Sequence, residues 1–204
     1  MTRIVNNCVA LVCLCLFWGQ SLRAADASHS EQIKWGNESV FNEEHNTLGL
    51  FSGVLGGQIV LAGGTSDDYS RWGRNAVCLS ENAGFALYED VLSKPLAYGA
   101  SITLSDGILC IGGRDSSQCY EDVFFVTMQQ GKLNVSEDWP PLPFPLSNAA
   151  GALLDNKVYL FGGRKSVSPS RLSDSFFVLD LSNKSRGWKE LPGYPGCVRE
   201  DAIL

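Results

Sequence analysis

Histidine is scarce in this 204-residue chain: there are only two, His29 and His45, and neither has a Cys or His partner at metal-ligand spacing. The seven cysteines include no Cys-x-x-Cys pair, so the sequence predicts no metal site. Basic residues are also sparse, since no run of Lys and Arg exceeds two and the formal net charge is −6. This balance gives no support for binding to nucleic acid or to an anionic membrane.

Long apolar runs are lacking except at the start of the chain, where Cys8–Trp18 is an unbroken run of 11 residues. Such a run is too short to span a bilayer, but it follows a short positive start at Arg3 and precedes small residues near Ala24, as in a secretory signal. We therefore predict a signal peptide over residues 1–24. The mature protein is then expected to be periplasmic or secreted, with no membrane span.

Four cysteines remain after this leader, namely Cys78, Cys110, Cys119 and Cys197. They could form two disulfides, with three possible pairings. Cys110 ends a predicted buried strand, so a buried free thiol is an equally good interpretation there.

Glycine doublets recur along the rest of the chain with nearly constant spacing. They are Gly63-Gly64, Gly112-Gly113 and Gly162-Gly163, and each ends a hydrophobic strand–turn–strand segment. A period close to 50 residues is typical of radially repeated β-structure. Trp139 and Trp188 follow the last two doublets at matching distances and each precedes a Leu-Pro pair. We interpret the glycines and tryptophans as packing residues.

Each repeat is predicted to form four short antiparallel strands. In the second repeat these are 98–104, 107–111, 122–128 and 132–139; in the third they are 147–154, 157–161, 175–181 and 188–191. The first repeat, from Leu48 to Tyr88, has no Trp at the expected place, so we expect a degenerate outer strand there. A single blade cannot bury both of its faces, and stacking the blades around an axis does so.

The domain organisation follows from these segments. Residues 25–47 are predicted to be an N-terminal segment whose Trp35 marks an orphan outer strand, and residues 48–204 a partial propeller. The sequence thus predicts an all-β fold with about three four-stranded blades plus partial blades. Closed propellers have four to eight blades. The chain is therefore expected to be truncated from a longer ring or, as the alternative, to complete the ring by self-association.

Several segments together resemble kelch-type sialic acid mutarotases, and more narrowly the cyclically permuted relatives of N-acetylneuraminate epimerase. They are SGVLGGQIVLAGG, PLAYGASITLSDGILCIGG, LPFPLSNAAGALLDNKVYLFGG and WKELPGYPGCVRE. The resemblance covers roughly residues 48–204 and implies a six-bladed propeller exported to the periplasm. It also implies an isomerase that exchanges the anomers of N-acetylneuraminate, a small anionic sugar, without a metal or organic cofactor.

Mutarotation requires a proton donor, a proton acceptor and a cation for the sugar carboxylate, for which arginine offers two-point geometry. In a four-stranded blade, the loops after each glycine doublet and before each first strand share one face. We therefore expect substrate binding by Arg114, Arg164, Tyr98 and Asn148 on this face. Arg199 and Glu121 are the predicted catalytic residues, with Glu200 as a further acid/base candidate.

Two other functions remain open from the sequence. A non-catalytic kelch module would bind a glycan or protein without turnover, and an inactive truncated remnant would do neither. A copper oxidase of the galactose oxidase type shares the repeat, but two histidines and no Tyr/His/Cys ligand set argue against it.

Overall fold

Antiparallel strands make up almost all of the regular structure, which we describe from a computed structural model. It describes residues 48–80, 84–193, 196 and 198–202. The predicted leader 1–24, the segment 25–47 with Trp35, and Cys197 lie outside these residues. Within them, no helix has the length and apolar character needed to cross a membrane.

Three four-stranded sheets follow one another along the chain, each with its strands in a simple antiparallel order. We call them blades 1, 2 and 3. Blade 1 contains β1 (Phe51–Leu55), β2 (Gln58–Ala62), β3 (Ala76–Ser80) and β4 (Gly84–Tyr88). Blade 2 contains β5 (Ala100–Thr103), β6 (Ile108–Ile111), β7 (Val123–Gln129) and β8 (Lys132–Ser136). Blade 3 contains β9 (Ala150–Leu154), β10 (Lys157–Phe161), β13 (Phe176–Asp180) and β14 (Lys189–Leu191).

Tight turns set the register between the first two strands of blades 1 and 3. In blade 3, Leu154 pairs with Lys157, and the two turn residues Asp155 and Asn156 have φ values of 48° and 59°. Positive φ at both central residues matches the twist of the flanking strands and is tolerated by Asn and Asp. The predicted hairpins are therefore confirmed.

Apolar side chains fill the two interfaces between successive blades. Between blades 1 and 2, the rings of Phe51 and Phe124 meet edge to face with centroids 5.2 Å apart. Between blades 2 and 3, Phe125 packs on Trp139 at 5.2 Å, and Trp188 donates its indole N–H to the carbonyl of Pro140 at 3.0 Å. The tryptophans thus pack against neighbouring strands, as the repeat predicted.

The glycine doublets join each blade to the chain that enters the next one. The first glycine of every doublet has positive φ, and a Cβ there would overlap a backbone carbonyl from the following repeat. The second glycine donates its N–H to that same carbonyl. The donor–acceptor pairs are Gly64–Leu96 at 2.9 Å, Gly113–Leu146 at 2.8 Å and Gly163–Arg199 at 2.9 Å. Only glycine allows this close approach with this backbone angle.

Three local features differ from the sequence expectation or were missing from it. The outer strand of blade 1 forms as a regular five-residue β4, although Phe85 and Leu87 on it stay exposed. Blade 3 also carries a small hairpin, β11 (Arg164–Ser166) with β12 (Arg171–Leu172), and a 3-10 helix over Leu181–Arg186. For the cysteines, the free-thiol alternative left open by the sequence is the one found: Cys78, Cys110 and Cys119 are buried free thiols.

The outer faces of blades 1 and 3 are apolar and point away from blade 2. On blade 1, cross-strand pairing places Leu87 beside Val77. On blade 3, the ring centroids of Tyr159 and Phe176 lie 5.9 Å apart. Strand positions in each blade can be numbered by their distance before the glycine doublet. The positions that point outward in blade 1 are the same positions that, in blade 3, pack against blade 2. The two outer faces are therefore of opposite type, like the two halves of an interblade interface.

Candidate functional site

The residue after each glycine doublet lies at the meeting point of two loops. Arg114 pairs through its backbone with Ala97, which precedes β5, and with Cys119, which precedes β7. Thr65 in blade 1 and Arg164 in blade 3 make the equivalent pairings. The loops after the doublets and before the first strands therefore share one face, which we call the rim.

A chain of backbone hydrogen bonds runs from repeat to repeat along this rim. It links Gly49, Tyr98, Asn148 and Asp201, all of which have positive φ. The N–H of Tyr98 donates to Gly49 at 2.7 Å, that of Asn148 to Tyr98 at 2.7 Å, and that of Asp201 to Asn148 at 3.0 Å. The four positions are structurally equivalent, and three of them carry polar side chains that differ from one repeat to the next.

Arg114 is surrounded by three aromatic rings, which we call the aromatic cage. Its guanidinium carbon lies 4.6 Å from the ring centre of Tyr98, 5.1 Å from that of Trp72 and 5.9 Å from that of Tyr69. One terminal nitrogen donates to the backbone carbonyl of Asp115 at 3.3 Å, while Nε is buried and has no hydrogen-bond partner among the described residues. Cation–π contacts hold the guanidinium in place without neutralising its charge.

Tyr98 contributes a neutral phenol to the cage. Burial raises its pKa, and the Tyr69 hydroxyl at 3.5 Å raises it further, which outweighs the opposing effect of the Arg114 charge. At neutral pH its hydroxyl therefore stays protonated and can donate a hydrogen bond.

Arg164 occupies the position of Arg114 in the next blade but has a different partner. Its Nε and a terminal nitrogen donate to the two carboxylate oxygens of Glu200 at 2.8 and 2.7 Å. This two-point pairing lowers the pKa of Glu200, and the Arg114 charge lowers it further. Glu200 is therefore held ionised between two arginines of the rim.

Asn148 is tied to the adjacent repeat by its side chain as well as its backbone. Its Nδ2 donates to the Asp201 carboxylate at 2.9 Å. Its Oδ1 is buried and has no hydrogen-bond partner in the described part of the chain. Arg114 and Asn148 thus each present one buried polar atom without a partner on the same rim.

Two aspartates near the rim organise loops. Asp115 accepts hydrogen bonds from the backbone N–H groups of Ser117 and Gln118 and from the hydroxyls of Ser117 and Tyr120, at 2.7 to 2.9 Å. Burial disfavours its charged form, but these donors outweigh that effect and lower its pKa to about 2. Asp68 has a pKa of about 2 because the Ser66 hydroxyl, with Ser70, donates to it. Neither carboxyl holds a proton to donate at neutral pH.

The structure brings together four of the six predicted site residues. Tyr98, Arg114, Asn148 and Arg164 lie on the rim, joined by the contacts above. Glu121 is exposed at the approach to β7, and its backbone carbonyl accepts a hydrogen bond from the N–H of Leu142 at 2.9 Å. Arg199 is exposed, at the repeat position that the buried Leu96 and Leu146 fill earlier in the chain.

Sequence reasoning assigned no role to three residues that shape the site. Tyr69 and Trp72 complete the aromatic cage from a loop that looked merely polar, and Asp201 orients Asn148. The repeat period could have found Asp201, because it falls about one period after Asn148. In the described residues, no group of three or more His, Cys, Asp or Glu side chains is placed to hold a metal ion.

The four-stranded blades, the glycine doublets and the rim show that the chain has a kelch-type β-propeller fold. A sequence model described as "Kelch motif" matches residues 145–192, which contain blade 3. A solved structure described as "Structure of YjhT" superposes with a TM-score of 0.62, over 76% of this chain and 58% of that chain. At 11% identity this likeness establishes the fold alone.

Proteins similar to this chain in sequence include N-acetylneuraminate epimerases from several bacteria. The protein of that name from Vibrio cholerae serotype O1 is 31% identical over 83 residues, which is 41% of this chain and 20% of the relative. Those from Yersinia pestis (strain Pestoides F) and Brucella suis are each 31% identical, over 33% and 36% of this chain and 16% and 17% of the relatives. The matches span about a fifth or less of these relatives. They support the resemblance to kelch-type sialic acid mutarotases that the sequence motifs indicated.

Proposed function

We propose that the rim binds the carboxylate of a sialic acid and that the protein is an exported mutarotase for N-acetylneuraminate or a related sugar. The observation that carries this proposal is the state of Arg114. Its guanidinium is fixed by three aromatic rings, its Nε is buried and unpaired, and it takes part in none of the three ion pairs among the described residues. A fixed guanidinium with donors to spare is suited to a carboxylate ligand.

The neighbouring residues suit the rest of the reaction. Exposed aromatic surface beside Arg114, above all Tyr69, offers an apolar platform for a sugar face. Glu200 is kept ionised by Arg164, and in this proposal it accepts the proton of the anomeric hydroxyl while water supplies the proton that the ring oxygen takes up as the ring opens. The catalytic roles predicted for Arg199 and Glu121 remain predictions, and the Glu121 role is tested against Glu200 below.

Anomer exchange measured by NMR saturation transfer tests this function. We expect the protein to exchange the anomers of N-acetylneuraminate faster than buffer alone, and Arg114→Ala to abolish the excess rate. Arg186→Ala, which removes an exposed arginine of the 3-10 helix, serves as the matched control and should leave the rate unchanged. A wild-type rate equal to that of buffer contradicts the proposal.

Glu200→Gln and Glu121→Gln, compared in the same assay, assign the base. If Glu200 is the base, only Glu200→Gln slows exchange. Loss of rate in Glu121→Gln alone would instead favour the catalytic residue predicted from the sequence.

A non-catalytic glycan-binding module is the second candidate. It is favoured by the occupation of both Glu200 oxygens by Arg164, which leaves the carboxylate poorly placed to take a proton. This function predicts N-acetylneuraminate binding that depends on Arg114, without faster anomer exchange. An inactive remnant predicts neither binding nor exchange.

Export and self-association belong to the same proposal. The apolar run Cys8–Trp18 supports a cleaved leader and a periplasmic or secreted protein, which cell fractionation and N-terminal sequencing of the mature chain would test.

The opposite types of the outer faces of blades 1 and 3 support head-to-tail pairing with a second copy. The three described blades of each copy would then supply six, the number that the resemblance to kelch-type sialic acid mutarotases implies for a closed ring.

A further inference from the structure

Two buried polar atoms without partners stand out among the described residues, and both are on the rim. They are Nε of Arg114, a hydrogen-bond donor, and Oδ1 of Asn148, an acceptor. Tyr98 lies between the two residues, because its ring packs against Arg114 at 4.6 Å and its carbonyl accepts the Asn148 N–H at 2.7 Å. Buried polar groups are normally paired, so these two atoms beside one tyrosine are available to a ligand that offers both an acceptor and a donor.

The orientation of the Asn148 amide is fixed by its neighbour. Its Nδ2 donates to the Asp201 carboxylate at 2.9 Å, and a carboxylate accepts hydrogen bonds. Turning the amide over would place Oδ1 against that carboxylate, which is unfavourable. The buried atom is therefore the oxygen, and only an O–H or N–H group can satisfy it.

The backbone prevents Asn148 from moving away to find another donor. Its N–H donates to Tyr98 and its carbonyl accepts from Asp201 at 3.0 Å, which fixes the main chain on both sides. Its positive φ of 54° is a conformation that asparagine tolerates better than most residues. The oxygen is thus held in position before any ligand binds.

We propose that Asn148 is a specificity-determining residue. Its Oδ1 accepts a hydrogen bond from the anomeric hydroxyl when the ligand binds, before that hydroxyl turns to Glu200 for proton transfer, while Arg114 binds the carboxylate. This inference rests on the proposed sugar site. It follows from the chemistry of sialic acids, in which the carboxylate and the anomeric hydroxyl are attached to the same carbon. One carbon of the ligand therefore carries both the acceptor that pairs with Arg114 and the donor that pairs with Asn148.

Isothermal titration with two ligands and three proteins tests the assignment. The ligands are N-acetylneuraminate and its 2-deoxy derivative, in which hydrogen replaces the anomeric hydroxyl and the carboxylate is kept. The proteins are wild type, Asn148→Gly and Arg114→Ala. Glycine keeps the positive φ and is the residue that blade 1 has at the equivalent position, Gly49. Thermal melting confirms that each variant is folded.

The expected result is a ligand preference that depends on Asn148. Wild type should bind the hydroxylated sugar about fivefold more tightly, which corresponds to one hydrogen bond. Asn148→Gly should bind both ligands equally, while Arg114→Ala should weaken both by the same factor. An unchanged preference in Asn148→Gly, or no preference in wild type, overturns the assignment while leaving the Arg114 site intact. Failure of wild type to bind either ligand overturns the site itself and this inference with it.

Discussion

Arg164 and Glu200 form a two-point ion pair that joins blade 3 to the chain after it. The hydrogen bonds are 2.8 and 2.7 Å long, and about a quarter of each side chain is exposed. The equivalent arginine one blade earlier, Arg114, instead lies among aromatic rings. Two arginines in the same structural position therefore have different environments, because one repeat supplies a carboxylate and the other an aromatic cage.

The ion pair predicts a pH dependence of stability. Pairing lowers the pKa of Glu200 below its usual 4.5, so the stabilisation is present above that pH and is lost as pH falls through the folded-state pKa. We expect Glu200→Gln to reduce the free energy of unfolding by about 1 kcal/mol at pH 7 and by less below pH ~4. Urea unfolding at several pH values measures this. Glu190→Gln, on the exposed face of β14, should have no such effect, and a pH-independent loss would contradict the assignment.

Substitution by alanine should cost more stability at a doublet glycine than at a turn glycine with nearly the same backbone angle. Gly112 and Gly131 have φ values of 64° and 73°, but a Cβ would overlap the Leu146 carbonyl only at Gly112, whereas Gly131 faces open space. Gly131→Ala should therefore cost about 1 kcal/mol, from backbone strain alone. Gly112→Ala should cost about 3 kcal/mol or more, because strain and overlap add. Equal losses in urea unfolding would show that the interblade contact does not require glycine.

The fold could be predicted from the sequence because of the repeat, whereas the residues that surround Arg114 could not. Doublets such as Gly112-Gly113 recur at a fixed period, because every blade must pass the same carbonyl at the same distance. Strand order predicted which face carries the rim, and Arg114 lies on that face. The aromatic cage could not be predicted in this way, because Trp72 contacts Arg114 from a loop in a different blade and loop geometry leaves no periodic signal in the sequence.

Asp115 should titrate far below an ordinary aspartate. Its pKa of about 2 depends in part on the Tyr120 hydroxyl, which donates to Oδ2 at 2.7 Å. Because the folded-state pKa is depressed, this carboxylate stabilises the protein above pH ~4 and the effect is lost as pH falls toward 2. Tyr120→Phe should raise the Asp115 pKa in a carbon-detected NMR titration. Tyr88→Phe removes a hydroxyl that bonds Gly131 instead, and it should leave the Asp115 titration unchanged.

The apolar outer faces of blades 1 and 3 predict self-association with a second copy of the chain. Leu87 on β4 is 45% exposed on the outer face of blade 1, whereas Leu172 on β12 is 37% exposed on the hairpin outside the blade sheets. If the faces of blades 1 and 3 pair head to tail, light scattering should give twice the mass of one chain. Leu87→Glu should then give monomers, since a charge is costly inside an apolar interface, while Leu172→Glu should leave the dimer intact. A monomeric wild type at high concentration would show that no second copy binds these faces.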